Sequence, residues 1–180
     1  MSQELETTRL LLKEITEDHL PLFFELHSYP EVDRFNTMGI PSDLQTTRQI
    51  LLPAMEDQLQ EMRSKYCWAV FRKEDHAFIG ELGFSVSSSK YRRGEVHYLL
   101  IPDHWGKGYA TELVKRIIAF GFDHLHLHRV EAGVATENVA SLRVLEKAGM
   151  TREGCHRQIL PIRGHWVDNY HYAILESDPR

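Results

Sequence analysis

The segment that most constrains the fold runs from residue 94 to residue 122, where the hydrophobic period changes from that of a strand to that of a helix. The run GEVHYLLI (94–101) is short, apolar-rich and strand-like. After the turn PDHWGKG the apolar residues return at helical spacing, as Leu113, Val114, Ile117, Ile118 and Phe122. A strand that passes through a glycine turn into an amphipathic helix favours a fold that mixes both kinds of element.

The rest of the chain supplies further segments of both kinds. Strands are predicted for residues 7–15, 66–72, 77–86 and 128–136, and helices for residues 17–28, 44–63 (with a kink at Pro53) and 138–149. Residues 29–43 are predicted to be loop, and two apolar segments follow near 156–162 and 166–175. Antiparallel hairpins therefore come first, then strand–helix–strand–helix, then strands. This order predicts an α+β or mixed α/β fold around one central sheet.

Composition limits the class of protein. The 180 residues suit one domain, predicted to span residues 1–180. A net charge of −5 argues against general attraction to nucleic acid. Cys67 and Cys155 lie far apart and offer no disulfide framework, which fits a reducing compartment. The acidic start lacks the pattern of a signal peptide, and no apolar run is long enough to cross a bilayer. We expect a cytoplasmic protein with neither nucleic-acid nor membrane partners.

Two glycines, Gly106 and Gly108, flank Lys107 where the predicted helix begins. The first N–H groups of a helix lack intrahelical partners and carry the positive end of its dipole. Glycine leaves no Cβ in the way, so an anion can approach that backbone. A plain strand-to-helix turn explains one glycine, but not two around a lysine. The pattern favours a phosphate-bearing ligand.

The identity of that phosphate is open on the motif alone. The dinucleotide fingerprint needs a third glycine, and Thr111 stands in its place. Glu131 does lie at about the ~20-residue spacing of a ribose-binding acid, so a nicotinamide dehydrogenase stays as an alternative. The nucleoside triphosphate loop, which ends in Gly-Lys-Ser/Thr, is absent.

The runs GEVHYLLIPDHWGKGYATELVKRIIAFGF and LHRVEAGVATENVASLRVLEKAGMTREG resemble the GNAT acyltransferases. The closer similarity is to the branch that includes the ribosomal-protein N-terminal acetyltransferases, and it extends from TTRLLLKEIT to DNYHYAIL. The resemblance implies a mixed, mostly antiparallel central sheet with helices on both faces. It also implies that the sheet splays between its fourth and fifth strands, with acetyl-CoA in the cleft and CoA as a product.

The resemblance assigns the residues that hold acetyl-CoA. The family's pyrophosphate-binding loop corresponds to Trp105 through Ala110, although Trp105 stands where the family more often has Gln or Arg. A backbone N–H near Leu99 to Ile101 is expected to bind the thioester oxygen, and Asn138 to contact the pantetheine arm. The complete set of expected cofactor-binding residues is Leu99, Ile101, Trp105, Gly106, Lys107, Gly108, Tyr109, Ala110, Thr111 and Asn138.

Acyl transfer to an amine needs a base for the amine and an acid for the departing thiolate. Glu95, acting through water, is the first candidate base, and His97, two positions along the same strand face, is the second. Glu95 has a structural alternative, bonding backbone where the sheet splits, and His97 one as a partly buried strand residue. Glu81, on the neighbouring predicted strand, is a third candidate base, although an exposed carboxylate on a half-solvated strand is the favoured interpretation. Ser141 is the expected proton donor to the thiolate, against the alternative of an ordinary helix serine.

The loop YPEVDRFNTMGIP (29–41) and the tail around Arg163, Trp166 and Tyr170 are expected to wall the acceptor site, while Tyr172 reads as core. No metal site is expected. The three alternate histidines 124, 126 and 128 span a predicted helix end and a loop, and no cysteine or carboxylate cluster completes a ligand set.

The function predicted from these residues and the resemblance is N-acetyltransferase activity by direct attack, because neither cysteine lies in a nucleophile-like setting. The acceptor is a protein N-terminal amine or, alternatively, a small-molecule amine such as an antibiotic or polyamine. A catalytically silent CoA-binding module is a second class, and the branch often forms homodimers.

Overall fold

The computed structural model describes residues 3–180 of the chain. Within them, eight strands form one sheet in the spatial order β1-β2-β3-β4-β5-β6-β8-β7. The strands are β1 (Leu5–Glu6), β2 (Leu10–Glu14), β3 (Lys65–Arg72), β4 (Phe78–Val86), β5 (Arg93–Leu100), β6 (Arg129–Ala135), β7 (Thr151–Ile162) and β8 (His165–Leu175). Neighbouring strands are antiparallel except for β5 and β6, which are parallel. The mixed, mostly antiparallel sheet is therefore confirmed.

Helices lie between the strands largely where the hydrophobic period predicts them. The α-helices of the described residues are α1 (Leu20–Ser28), α2 (Pro30–Asp33), α3 (Leu44–Asp57), α4 (Tyr109–Ala119) and α5 (Val139–Lys147). Short 3-10 turns precede α1 and α4, and α4 continues into a π-helical turn at Phe120–His124. Asn138 caps α5 as expected, since its side chain accepts the N–H of Ser141.

Two predictions about helix extent are wrong. Residues 29–43 are not all loop, because Pro30 occupies the first position of α2, where its missing N–H costs nothing. Helix α3 passes through Pro53 but ends at Asp57, six residues before the predicted end. There the Asp57 carboxylate accepts the N–H groups of Ser64 and Lys65, both at 2.8 Å, and turns the chain back into β3.

The sheet carries helices on both faces, as predicted. On one face, α4 packs Leu113, Val114 and Ile117 into a large cluster that includes Val96 of β5. On the other face, a smaller cluster joins α1, α3 and β3 through residues such as Phe23. Burial of these two apolar surfaces is the main stabilising contribution of the fold.

Strands β5 and β6 separate soon after they meet. Their ladder within the described residues joins Arg93–Glu95 to Arg129–Glu131 and stops, although β5 continues to Leu100 and β6 to Ala135. The predicted splay between the fourth and fifth strands is confirmed, because the two-residue β1 at the sheet edge shifts the strand numbers by one. A gap opens between the diverging halves of the two strands.

Strand β5 shows a different set of side chains to each face. Val96 and Leu100 belong to the large cluster on the side of α4 and α5. Glu95 and His97 are exposed and point to the side of α1 and α2, as the alternation of a strand requires. The gap is therefore bordered by apolar and hydroxyl groups on one face and by ionisable groups on the other.

Candidate active site

The glycine turn reaches the gap with its backbone uncovered. Gly108 is the N-cap of α4 with φ of 82°, and Gly106 has φ of 72°, a left-handed conformation that favours glycine. No side chain caps this helix end, and nothing lies within 4 Å of a Cβ built on Gly106. The first N–H groups of α4 are thus accessible to an anion, as the sequence predicts.

Arg9 braces this turn, and sequence reasoning missed it. Its Nη1 donates to the carbonyl of Lys107 at 3.0 Å, and its guanidinium lies 4.4 Å from the ring centroid of Tyr109. A salt bridge of 2.7 Å to Glu112 fixes the other side of the guanidinium. The sequence carries no signal for this contact, because Arg9 and Lys107 are 98 residues apart.

The gap between β5 and β6 opens into a cleft of about 1210 Å³. It is lined by most of the expected site residues, namely Glu95, His97, Leu99, Trp105, Gly106, Gly108, Tyr109, Ala110, Thr111, Asn138 and Ser141. Of the expected set, Ile101 and Lys107 lie outside the lining. The structure therefore brings the glycine turn, the start of α5 and the exposed face of β5 around one space.

The backbone of β5 places one amide in the gap. Ile101 N–H donates to the carbonyl of Ile79 on β4 at 2.9 Å, so this amide is occupied. Backbone direction alternates along an antiparallel strand, so the amide of Leu99 also faces β4, whereas that of Leu100 faces the gap. Trp105 Nε1 donates to the Leu100 carbonyl at 2.7 Å and secures this point. Within the predicted range 99–101, Leu100 thus offers the available donor.

A pair of hydroxyl groups joins β5 to α5 across the cleft. The Tyr98 hydroxyl and the Ser141 Oγ are hydrogen-bonded at 2.7 Å. Burial raises the pKa of Tyr98 to about 12, so its phenol stays neutral and can donate. Sequence reasoning selected Ser141 and missed Tyr98, which alternation places on the same face of β5 as the apolar Val96 and Leu100.

The other face of β5 meets a buried carboxylate. Glu81 of β4 is 2% exposed, and its Oε2 accepts a hydrogen bond from His27 Nε2 of α1 at 2.9 Å. Its Oε1 lies 3.8 Å from His97 Nε2. The expectation that Glu81 is an exposed strand carboxylate is wrong, because α1 covers this part of β4.

The pKa values of the buried pair move in opposite directions. Burial alone would raise the pKa of Glu81, but the hydrogen bond and charge of His27, with the charge of His97, lower it. Burial alone would lower the pKa of His27, but the hydrogen bond and charge of Glu81 raise it. Each group stabilises the charged form of the other.

Glu95 and His97 both face the cleft, but they do not pair with each other. The carboxylate within 4 Å of His97 is that of Glu81. The His97 side chain is 59% exposed, and its ring lies against Gly83, where a Cβ would come within 1.8 Å of His97 Cε1. Gly83 therefore makes room for the imidazole at the mouth of the cleft.

Of the two segments predicted to wall the acceptor side, the loop lines the cleft, whereas the named tail residues Arg163, Trp166 and Tyr170 do not. The segment 31–38 lines the cleft, as expected of the loop that follows α1. From the tail, the lining residues are His156, Ile159, Leu160, Asn169 and His171. Arg163 reaches α2 through an ion pair with Asp33, Trp166 is 63% exposed, and Tyr172 is fully buried, as predicted.

The structure does not support the dinucleotide alternative. Glu131, the candidate ribose ligand, is held by Arg129 and lies 3.7 Å from Arg93. The strand that follows the glycine turn pairs antiparallel with β8, unlike a doubly wound parallel sheet. Among residues 3–180, no cluster of three or more metal-ligating side chains is present. In the same range, no helix has the length and apolar character needed to span a membrane.

Comparison with known proteins agrees with this geometry. The family model of the acetyltransferase (GNAT) domain matches residues 9–151. YoaA of Bacillus subtilis (strain 168), an uncharacterized N-acetyltransferase, is 33% identical over 172 residues, which cover 96% of each chain.

Two solved structures share the fold at 21% sequence identity. Spermidine N-acetyltransferase from Vibrio cholerae, in complex with CoA and spermine, aligns with a TM-score of 0.82 over 93% of this chain and 96% of its own. Ribosomal-protein-S5-alanine acetyltransferase from Vibrio fischeri aligns with a TM-score of 0.83 over 99% of each chain.

Proposed function

The chain belongs to the GNAT family of acetyltransferases and is an N-acetyltransferase, and from that premise we propose that it transfers the acetyl group of acetyl-CoA to a primary amine by direct attack. The observation that carries this proposal is the cleft between β5 and β6, which extends from the glycine turn to Glu95 and His97. The amine enters from the ionisable face and the thioester lies in the gap.

On the donor side, the N–H groups at Gly106, Gly108 and the first turn of α4 bind the diphosphate of acetyl-CoA. Lys107 adds positive charge nearby, and Asn138 contacts the pantetheine arm. The amide of Leu100 donates to the thioester oxygen as negative charge develops on it. Two observations support these roles: no side chain caps the start of α4, and the amide of Leu100 points away from β4 into the gap.

The departing thiolate receives its proton from Ser141. The neutral Tyr98 hydroxyl lies 2.7 Å from Ser141 Oγ and can replace that proton. Neither cysteine is placed to form an acyl-enzyme. Cys67 is buried with a pKa raised by that burial, and Cys155 is exposed on β7 outside the cleft lining. Direct transfer from thioester to amine is therefore the simplest route.

The proton of the amine goes to Glu95, through water, or to His97. Both side chains are exposed in the cleft on the face opposite Ser141. An α-amino group has a pKa of about 8 and a lysine amine one of about 10.4, so a weak base suffices for a protein N-terminus. This favours an N-terminal amine as the acceptor.

A polyamine is the second candidate acceptor. The exposed carboxylates of Glu31 and Glu95 line the cleft, and such groups attract a cationic substrate. The two solved neighbours described above act on an alanine of a ribosomal protein and on spermidine, and at 21% identity they support the fold without choosing between these acceptors.

The test is an acceptor panel with acetyl-CoA, read by thiol release and by mass spectrometry of the products. The panel contains a peptide with a free N-terminal alanine, the same peptide blocked at that amine, spermidine and an aminoglycoside. We expect the peptide with the free N-terminus to be acetylated faster than the blocked peptide. If spermidine is acetylated and the free peptide is not, the acceptor is a polyamine. Binding of acetyl-CoA without CoA release by any amine would contradict the proposal.

A further inference from the structure

Within residues 3–180, the buried carboxylate of Glu81 contacts two histidine side chains and accepts no main-chain hydrogen bond. It stands in the middle of β4 at 2% exposure, where an ionised group costs several kcal/mol unless it is paired. Its partners come from two different elements. Oε2 accepts from His27 of α1 at 2.9 Å, and Oε1 lies 3.8 Å from His97 of β5. Oε2 therefore faces the protein interior, and Oε1 faces His97 in the cleft.

His27 contacts Glu81 on the side that faces the protein interior. Its ring is 2% exposed, and its Nε2 donates to Glu81. Its Nδ1 is buried and has no hydrogen-bond partner in the described part of the chain, so Glu81 is the polar contact that holds the ring. This bond holds Oε2 and leaves Oε1 on the side of His97. His27 acts as an anchor for Glu81.

His97 lies on the side of Glu81 that faces the cleft. Its side chain is 59% exposed and lines the cleft. The ring occupies the space that the missing side chain of Gly83 leaves, since a Cβ there would lie 2.0 Å from Nε2 and 2.6 Å from Nδ1. With Nε2 directed to Glu81, Nδ1 is the nitrogen left for a ligand. The imidazole thus connects a buried charge to the acceptor face.

We propose that His97 accepts the proton of the attacking amine and that Glu81, anchored by His27, is its positioning residue. This inference rests on the proposed function and chooses between its two candidate bases. The amine nitrogen forms a bond to the thioester carbon and gives one proton to His97 Nδ1. The carbon–sulfur bond breaks and the thiolate takes a proton from Ser141. His97 returns its proton to solvent, and Ser141 regains one from solvent through the Tyr98 hydroxyl.

The experiment compares two acceptors that differ in their need for a base. The first is the better amine of the panel, and the second is hydroxylamine, a nucleophile that is already unprotonated at neutral pH. Glu81→Gln keeps an oxygen for the His27 N–H and removes the charge. Glu14→Gln is the matched control, because Glu14 is a buried carboxylate paired with Arg63 outside the cleft lining.

With the basic amine, His97→Gln should lower kcat by at least roughly 100-fold, as expected for loss of a general base. Glu81→Gln should lower kcat about tenfold, the coupling typical of residues in contact, with KM for acetyl-CoA unchanged. In the His97→Gln background the same change should add little. With hydroxylamine, all these variants should match the wild type.

A second variant guards against loss of the fold. Replacing the pair together, by His27→Leu with Glu81→Met, removes both charges at similar volume, a change that buried ion pairs often tolerate. This double variant should keep the thermal stability of the wild type and reproduce the loss caused by Glu81→Gln.

Three results would overturn the inference: kcat of Glu81→Gln equal to that of Glu14→Gln, an equal loss with hydroxylamine, or an equal loss in the His97→Gln background. If the wild type acetylates the amine and Glu81→Gln has the same kcat, this inference alone is contradicted. A wild type that leaves every amine unmodified contradicts the proposed function and the inference with it.

Discussion

The two faces of the sheet at the β5–β6 gap are built in different ways. The donor face uses backbone amides and hydroxyl groups, and most of its residues lie in one stretch from Tyr98 to Ser141. The acceptor face uses ionisable side chains from α1, β4, β5 and the β7–β8 hairpin. A site for a common cofactor can be made locally, whereas a site for a particular acceptor is assembled from distant parts of the chain.

The largest effect is expected on the donor face. Gly108→Trp should abolish acetyl-CoA binding, because Gly108 has a left-handed φ of 82° and a bulky side chain would cover the open amides of α4. Isothermal titration with acetyl-CoA measures the loss. Gly164→Trp is the control, since Gly164 has φ of 78° in the β7–β8 turn with open space around it. Equal affinity in the Gly108 variant would refute the assignment of the turn.

The next effect concerns the stability of the acceptor face. Glu81→Ala leaves His27 buried without its partner, and removal of one member of a buried pair costs about 3–5 kcal/mol. Urea unfolding measures this cost. Glu17→Ala, which breaks an exposed pair with Arg48, should change the free energy of unfolding far less. Similar costs for the two variants would show that Glu81 and His27 contribute no more than a surface pair.

This contribution should depend on pH. The lowered pKa of Glu81 gives stability that is present above the unfolded value and is lost as pH falls through the folded pKa. The raised pKa of His27 gives stability that is present below its unfolded value and is lost as pH rises through the folded pKa. The stability of the wild type relative to the His27→Leu, Glu81→Met double variant should therefore be greatest between roughly pH 4.3 and pH 6.5. A constant difference across pH would count against the charged pair.

A smaller effect is expected from the hydroxyl pair. Ser141→Ala should lower kcat about tenfold and leave the affinity for acetyl-CoA unchanged, because the thiolate then loses the hydroxyl through which Tyr98 also acts. Steady-state kinetics measure kcat, and titration with acetyl-CoA measures the affinity for the cofactor. Tyr98→Phe should give a milder loss that disappears in the Ser141→Ala background. A fall in affinity without a change in kcat would move Ser141 from catalysis to binding.

The smallest effect is expected at the cysteines. An alkylating reagent should modify the exposed Cys155 and spare Cys67, which is buried with a raised pKa. Activity should be unchanged, because direct transfer needs no thiol of the enzyme. Mass spectrometry locates the label, and thiol-release assays measure the activity. Inactivation that follows labelling of Cys155 would speak for a covalent route.

Sequence reasoning succeeded where chemistry and chain order coincide. The hydrophobic period near residues 94–122 predicts β5 and α4, the family resemblance implies the gap beside β5, and Asn138 predicts the start of α5. It failed where contacts join distant segments. Glu81 looked exposed because no local pattern shows that α1 brings His27 over β4, and Arg9 carried no sign of its contact with the turn. The sequence predicts a donor amide within residues 99–101, and only strand pairing shows that the free amide of this range is that of Leu100.

The alternation of β5 has a consequence for how this site can change. Because odd positions of β5 face the side of α1 and even positions face the side of α4 and α5, a side-chain substitution in the strand changes only one of the two faces. A single inserted residue between Glu95 and His97 would reverse the direction of all later side chains, sending His97 towards α5 and Tyr98 towards α1. Length differences among related chains should therefore fall in the flanking loops and not inside the strand.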